Sequence, residues 1–140
     1  MRRRTGSATA AALVVLAVGA AVQGRRAERA GIAASDLLAT MGGEISAVPL
    51  PGLPGPFYPS EEARQRAIVS AAEQVLAAHG GTGAALLAAL AKGDAHLRLK
   101  EWDAAKAAYE SFLAGAGRDD SLRFGALEGI ALAEEGFRLL

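Results

Sequence analysis

Cysteine is absent from the chain. That absence removes disulfides, zinc–thiolate sites, thiol catalysis and the acylated cysteine of a bacterial lipoprotein. It does not fix the redox compartment, because an exported helical domain needs no disulfide. Aromatic residues are scarce, with one Trp, two Tyr and four Phe in 140 residues. β-Branched residues do not cluster outside the N-terminus, so the composition favours helices packed through Ala, Leu and Gly over a sheet. A net charge is missing too, but the balance is uneven. Residues 1–29 carry six arginines (2, 3, 4, 25, 26 and 29) against Glu28, a local charge of +5, and the remainder carries nine Lys/Arg against fourteen Asp/Glu, or −5. The basic end flanks an uncharged apolar run and reads as a membrane-topology signal. Beyond residue 30 no basic stripe is available to neutralise phosphates, which argues against nucleic acid as a partner.

Catalytic and metal-binding constellations are equally thin. His79 and His96 are the only histidines, and neither has a second His or a Cys at ligand spacing. His96, two residues after Asp94 and four before Lys100, reads as a hydrogen-bonded structural histidine. The paired acids Asp119-Asp120 and Glu134-Glu135 are adjacent in sequence, so on a helix their side chains diverge. Gly80-Gly81-Thr82-Gly83 precedes a predicted helix as a phosphate cradle would, yet the Lys-Ser/Thr of a P-loop does not follow, and a turn is the simpler reading. No Ser, His and Asp set has motif support. The expectation is therefore a protein with no catalytic residue, no metal ligand and no cofactor.

Three segments follow one another. From Thr5 to Gly24 no residue is charged. As a helix those residues would span about 30 Å, the hydrocarbon thickness of a bilayer. Two readings fit: an uncleaved anchor with Arg2–Arg4 held in the cytoplasm, or a signal peptide cleaved near small residues such as Gly19 and Ala21. The triple Arg before an uninterrupted run speaks against a third, a buried core helix. Residues 25–41 keep a helical pattern, with Ala30, Ala34, Leu37, Leu38 and Met41 at spacings of three and four, so the helix is expected to run on out of the membrane. Gly42-Gly43 ends it. The segment 42–59 holds all five prolines (Pro49, Pro51, Pro54, Pro56 and Pro59), and an extended polyproline-like spacer is expected there.

From residue 60 onward four antiparallel helices are predicted. Ser60 caps the first, whose opening turn holds Glu61 and Glu62. Thr82 is expected to cap a second through about Leu99, Asp103 a third through about Ala114, and Asp119 or Asp120 a fourth through about Glu135. Within this region residues 86–119, LLAALAKGDAHLRLKEWDAAKAAYESFLAGAGRD, resemble one 34-residue tetratricopeptide (TPR) unit. Gly93 stands at the small-residue site of the first helix, Trp102 at the turn, Ala105 at the small site of the second helix, and Tyr109 and Phe112 follow. Gly93 and Ala105 would let two helices approach closely, and the three aromatics would fill the space beside them. The chain departs from the family pattern at Lys92, His96 and Gly117. A second copy begins at Leu122, setting Gly93 on Gly129, and only its first helix is present.

The layout of basic tail, apolar run, proline segment and repeat is similar to a bacterial membrane-anchored TPR-like family that includes the ancillary subunit of the Sec translocon. The resemblance implies an all-α inner-membrane protein crossing once, with a periplasmic domain that binds a translocon subunit, a periplasmic chaperone or a client polypeptide. It also implies a groove on the first helix of the repeat, lined by Leu87, Leu90, Asp94, Leu97 and Arg98. Family members that clamp a peptide carboxylate use Lys, Asn and Arg at such sites, and only Arg98 answers here. The alternative is an exported soluble module that self-associates through Leu132, Phe137 and Leu140.

Overall fold

The computed structural model describes residues 5–140, with side chains from Leu13 onward; Arg2, Arg3 and Arg4 lie outside the described residues. Among those residues the protein is all-α apart from one short strand pair. Its elements are α1 (Thr5–Met41), β1 (Glu44–Ile45), β2 (Phe57–Tyr58), α2 (Glu61–Ala78), α3 (Gly83–Arg98), α4 (Trp102–Gly115) and α5 (Arg123–Arg138). Each helix from α2 onward packs on the one before it. α1 and α5 both also touch α3, so the odd-numbered helices form one layer and α2 and α4 lie on its other side.

Local chemistry explains where the helices start. Ser60 accepts a hydrogen bond from the backbone N–H of Ala63 at 3.1 Å, with Glu61 and Glu62 in the first turn of α2. Thr82 accepts from Ala85 at 3.3 Å, and its hydroxyl donates to the His79 carbonyl at 2.6 Å. One side chain thus ties the end of α2 to the start of α3, helped by Gly81 at φ +78° in the turn. The other two expected caps differ. α4 begins at Trp102 with no side-chain cap, which places Asp103 inside its first turn. The preceding turn is closed instead by backbone: Lys100 sits at φ 60°, its N–H bonds the Leu97 carbonyl, and the Glu101 N–H bonds that of His96. This is a Schellman stop, with lysine where glycine is usual. α5 also lacks a side-chain cap, and Asp120, three residues before the helix starts, accepts from the N–H of Leu122. Arg123 donates to the carbonyls of Leu113 and Ala116, so the start of α5 satisfies the end of α4.

Two apolar clusters share α3. Leu37, Ile68, Ala72, Val75, Ala88, Ala91 and Ala95 join α1, α2 and α3. Ala89, Ala105, Tyr109, Phe112, Ala126 and Ala133 join α3, α4 and α5. The expected boundary at residue 60 therefore moves. The second half of α1 is part of the bundle, with Ala30 and Leu37 buried, Ala34 and Met41 half-buried, and Leu38 of the predicted face left exposed. Residues 25–41 are continuous with the preceding run in one helix of 37 residues, as the pattern predicts.

The proline segment is not an extended spacer. Its ends lie side by side, with the Glu44 N–H on the Pro56 carbonyl at 3.0 Å and the Ser46 N–H on the Tyr58 carbonyl at 2.7 Å, a parallel pairing of β1 with β2. Proline lacks a donor but keeps its carbonyl, so Pro56 can accept at the edge while Pro49, Pro51 and Pro54 occupy the connecting loop. Arg64 fastens the closed segment to α2 by donating to the Gly43 carbonyl at 3.1 Å. Among the described residues no helix is long and apolar enough to cross a membrane. The uncharged run 5–24, on which an anchor was expected, falls partly outside them, because its side chains are described only from Leu13.

Leu37 is 1% exposed, so Leu37→Ala should remove buried volume between α1, α2 and α3 and cost about 2–4 kcal/mol. Thermal melting of the full chain in detergent micelles reads this directly. A change within about 0.5 kcal/mol would make α1 an independent helix.

Candidate functional site

The five expected groove residues occupy one side of α3, but the structure divides them. Asp94 and Arg98 are exposed. Leu87 is half-buried against the α1–α2–α3 cluster, and Leu90 and Leu97 are half-buried against the α3–α4–α5 cluster. Asp94 is engaged as well, since the Tyr109 hydroxyl donates to its Oδ1 at 2.5 Å. Of the five, only Asp94 and Arg98, one acid and one base, are left exposed on this side of α3.

The repeat-packing residues come together around one ring. A Cβ built on Gly93 would lie 2.7 Å from Cε1 and 2.8 Å from Cδ1 of Tyr109, and one on Gly129 would press closer still on the opposite edge. Tyr109 thus fills the gap between α3 and α5 from its place on α4. Two glycines 36 residues apart in the aligned copies make room for it. Trp102 repeats the device against Gly136, whose added Cβ would lie 2.8 Å from the indole, although its Nε1 is buried with no partner. Ala105 and Phe112 complete the cluster, at 0% and 1% exposure. The close approach at Gly93 is therefore to the Tyr109 ring. Burial and the bond to Asp94 both raise the Tyr109 pKa, because each favours the neutral phenol.

Polar side chains bind the helices on the far side. His96 is buried with Nδ1 2.6 Å from Glu101 Oε2, and the other oxygen of Glu101 accepts from Arg66 on α2. The bonds from His96 and then Arg66 hold the Glu101 carboxyl below the usual range. Lys92 pairs with Glu73 at 3.0 Å, tying α3 to α2, and Lys106 pairs with Glu134 at 2.6 Å, tying α4 to α5. His96 is accordingly a hydrogen-bonded joint between α3 and the turn before α4. No group of three or more His, Cys, Asp or Glu able to hold a metal occurs among the described residues.

One feature lay beyond the sequence pattern. A cleft of about 680 Å³ opens between α1 and the α2–α3 turn, with Gln23 and Arg26 on one wall and His79 and Thr82 on the other. Contact between residues some fifty positions apart leaves no periodic signal. On α5, Phe124, Leu127, Leu132 and Phe137 are all about half exposed or more. Leu132 and Phe137 belong to the face on which self-association is expected from the sequence, and Phe124 and Leu127 add to the exposed apolar surface of the same helix.

Gly129→Ala should cost about 1–3 kcal/mol by overpacking Tyr109, although alanine is the better helix former by about 1 kcal/mol. Gly125, on the same helix with open space beside it, is the control, and Gly125→Ala should stabilise by about 0.5–1 kcal/mol. Unfolding in urea compares the two. Tyr109 supplies a pH test. Its pKa is raised above the ordinary 10.0, so its contribution is complete below pH 10 and is lost as pH rises through the folded-state value. An alkaline series should show that loss in the wild type and a flatter profile in Tyr109→Phe. No protein-family model, curated protein or solved structure matches the chain.

Proposed function

We propose that the chain is a membrane-tethered interaction protein with no turnover of its own. The observation that carries this reading is the division of α1. Leu13, Val14, Val15, Leu16 and Val18 are exposed on every side of the helix, while Ala30 and Leu37 of the same helix are core. A helix apolar all round needs an apolar medium or a partner, and the uncharged sequence from Thr5 to Gly24 is long enough to span a bilayer once. Tethering through residues 5–24, with the N-terminus cytoplasmic and the bundle periplasmic, follows the resemblance to the bacterial membrane-anchored TPR-like family. The helices stacked about Gly93, Tyr109 and Gly129 are consistent with such a repeat. The partner on that reading is a polypeptide, whether a translocon subunit, a chaperone or a client, met on the side of α3 that carries Leu87, Leu90, Asp94, Leu97 and Arg98.

The exposed apolar residues of α5 favour a second reading, in which copies of the chain join through Leu132, Phe137 and Leu140, the last 91% exposed. One experiment separates the two. Photocrosslinkers placed at Arg98 and at Leu132 in cells should give, for the first reading, heterologous adducts at Arg98 that mass spectrometry identifies as secretion components or exported clients. Homodimeric adducts confined to Leu132 would establish self-assembly instead. Carbonate extraction with N-terminal sequencing tests the tether, which a soluble mature chain beginning after Ala21 or Gly24 would overturn.

A further inference from the structure

The uncharged run ends at Gly24, and the first buried residue of the bundle is Ala30. Six residues of continuous helix rise about 9 Å. The polar layer of one leaflet is about 5–7 Å thick. If residues 5–24 span the bilayer, the near end of the bundle therefore meets the headgroups directly, and no flexible segment holds it away. That end is formed by the α2–α3 turn, and the cleft between it and α1 opens at this level. Arg26 projects into the cleft from α1 and His79 borders it from the end of α2, while no carboxylate lines it. Arg25 and Arg29 are exposed on the side of α1 turned away from the cleft. Among the described residues none of these three arginines is in an ion pair. The small residues Gly80, Gly81 and Gly83 keep the mouth open.

The geometry points to a seat for the phosphate of an anionic phospholipid, held between Arg26 and His79. The inference rests on the tether proposed above and adds to it. The lipid would fix the tilt at which the bundle stands on the membrane, which a single spanning helix alone does not set. Charge complementarity and depth both select a lipid over a soluble anion, since the cleft begins where the apolar run stops.

The absence of cysteine makes a single reporter thiol feasible. Gly80→Cys suits the purpose, because a Cβ there makes only an ordinary 3.5 Å contact with the Leu76 carbonyl. The full chain carrying it is reconstituted into vesicles of phosphatidylcholine alone or of phosphatidylcholine with phosphatidylglycerol, and labelled with an uncharged maleimide. Labelling should slow by about fivefold or more when phosphatidylglycerol is present, the factor expected from one basic side chain near an anionic surface. Adding Arg26→Gln and His79→Gln should make the two rates equal. Equal rates without those substitutions, in a chain that resists carbonate, would overturn the lipid seat and leave the tether standing. Slowing by inorganic phosphate in phosphatidylcholine vesicles would overturn the lipid as occupant. A chain extracted by carbonate from both vesicles would remove the tether and the seat together.

Discussion

α3 is covered from both sides, and the residues that permit this are almost all alanine. Ala88, Ala91 and Ala95 meet α1 and α2, whereas Ala89 and the neighbouring Gly93 meet α4 and α5. Side chains this small let helix axes come to the lower end of the usual 8–10 Å separation. Each contributes little apolar area, so the net burial energy falls on the few large groups that fill what the alanines leave. Leu37, Ile68 and Val75 do so on one side and Tyr109 and Phe112 on the other. A chain with seven aromatics therefore places its buried tyrosine at the junction of three helices.

The Tyr109 site shows why shape and polarity are coupled in this bundle. The ring needs Gly93 and Gly129 to fit, and its hydroxyl, carried to the rim of the cluster, finds Asp94. That bond draws Asp94 from the surface into the packing scheme. A residue placed by its spacing on a binding face thus also positions the core. The ion pairs on the far side follow the same economy of contact. Arg66, Lys92 and Lys106 each reach an acid on another helix or turn, linking neighbours that small apolar residues hold together only weakly.

Continuity of α1 changes the mechanical picture. A proline spacer between anchor and domain would let the domain wander within tens of ångströms of the bilayer. Here the segment that carries the prolines is folded back on itself by β1 and β2 and lies at the far end of the bundle from the apolar run, clipped to α2 through Arg64. Whatever the apolar half of α1 enters, the bundle moves with it as an extension of the same helix and not on a flexible tether.

The sequence by itself determined what depends on a few neighbouring residues. Apolar spacing gave the helices, Ser60 and Thr82 announced two of their starts, and the matched glycines at 93 and 129 pointed to a repeated packing position. These features were legible because a turn of helix is closed by residues three or four apart. Tertiary structure alone decided that Leu37 joins the core, that the ends of the 42–59 segment pair, that Arg123 finishes the helix before its own, and that Asp94 is held by Tyr109. Each of these rests on contact between groups more distant along the chain than a helical turn. The start of α5 belongs with them, because a reaching arginine took the place of the acidic cap that spacing favoured, whereas α4 starts from a local backbone turn at Lys100, where lysine gives none of the signal a glycine would. For the candidate binding face, spacing could put five residues on one side of α3, but only the neighbouring helices settled which of them would be left exposed.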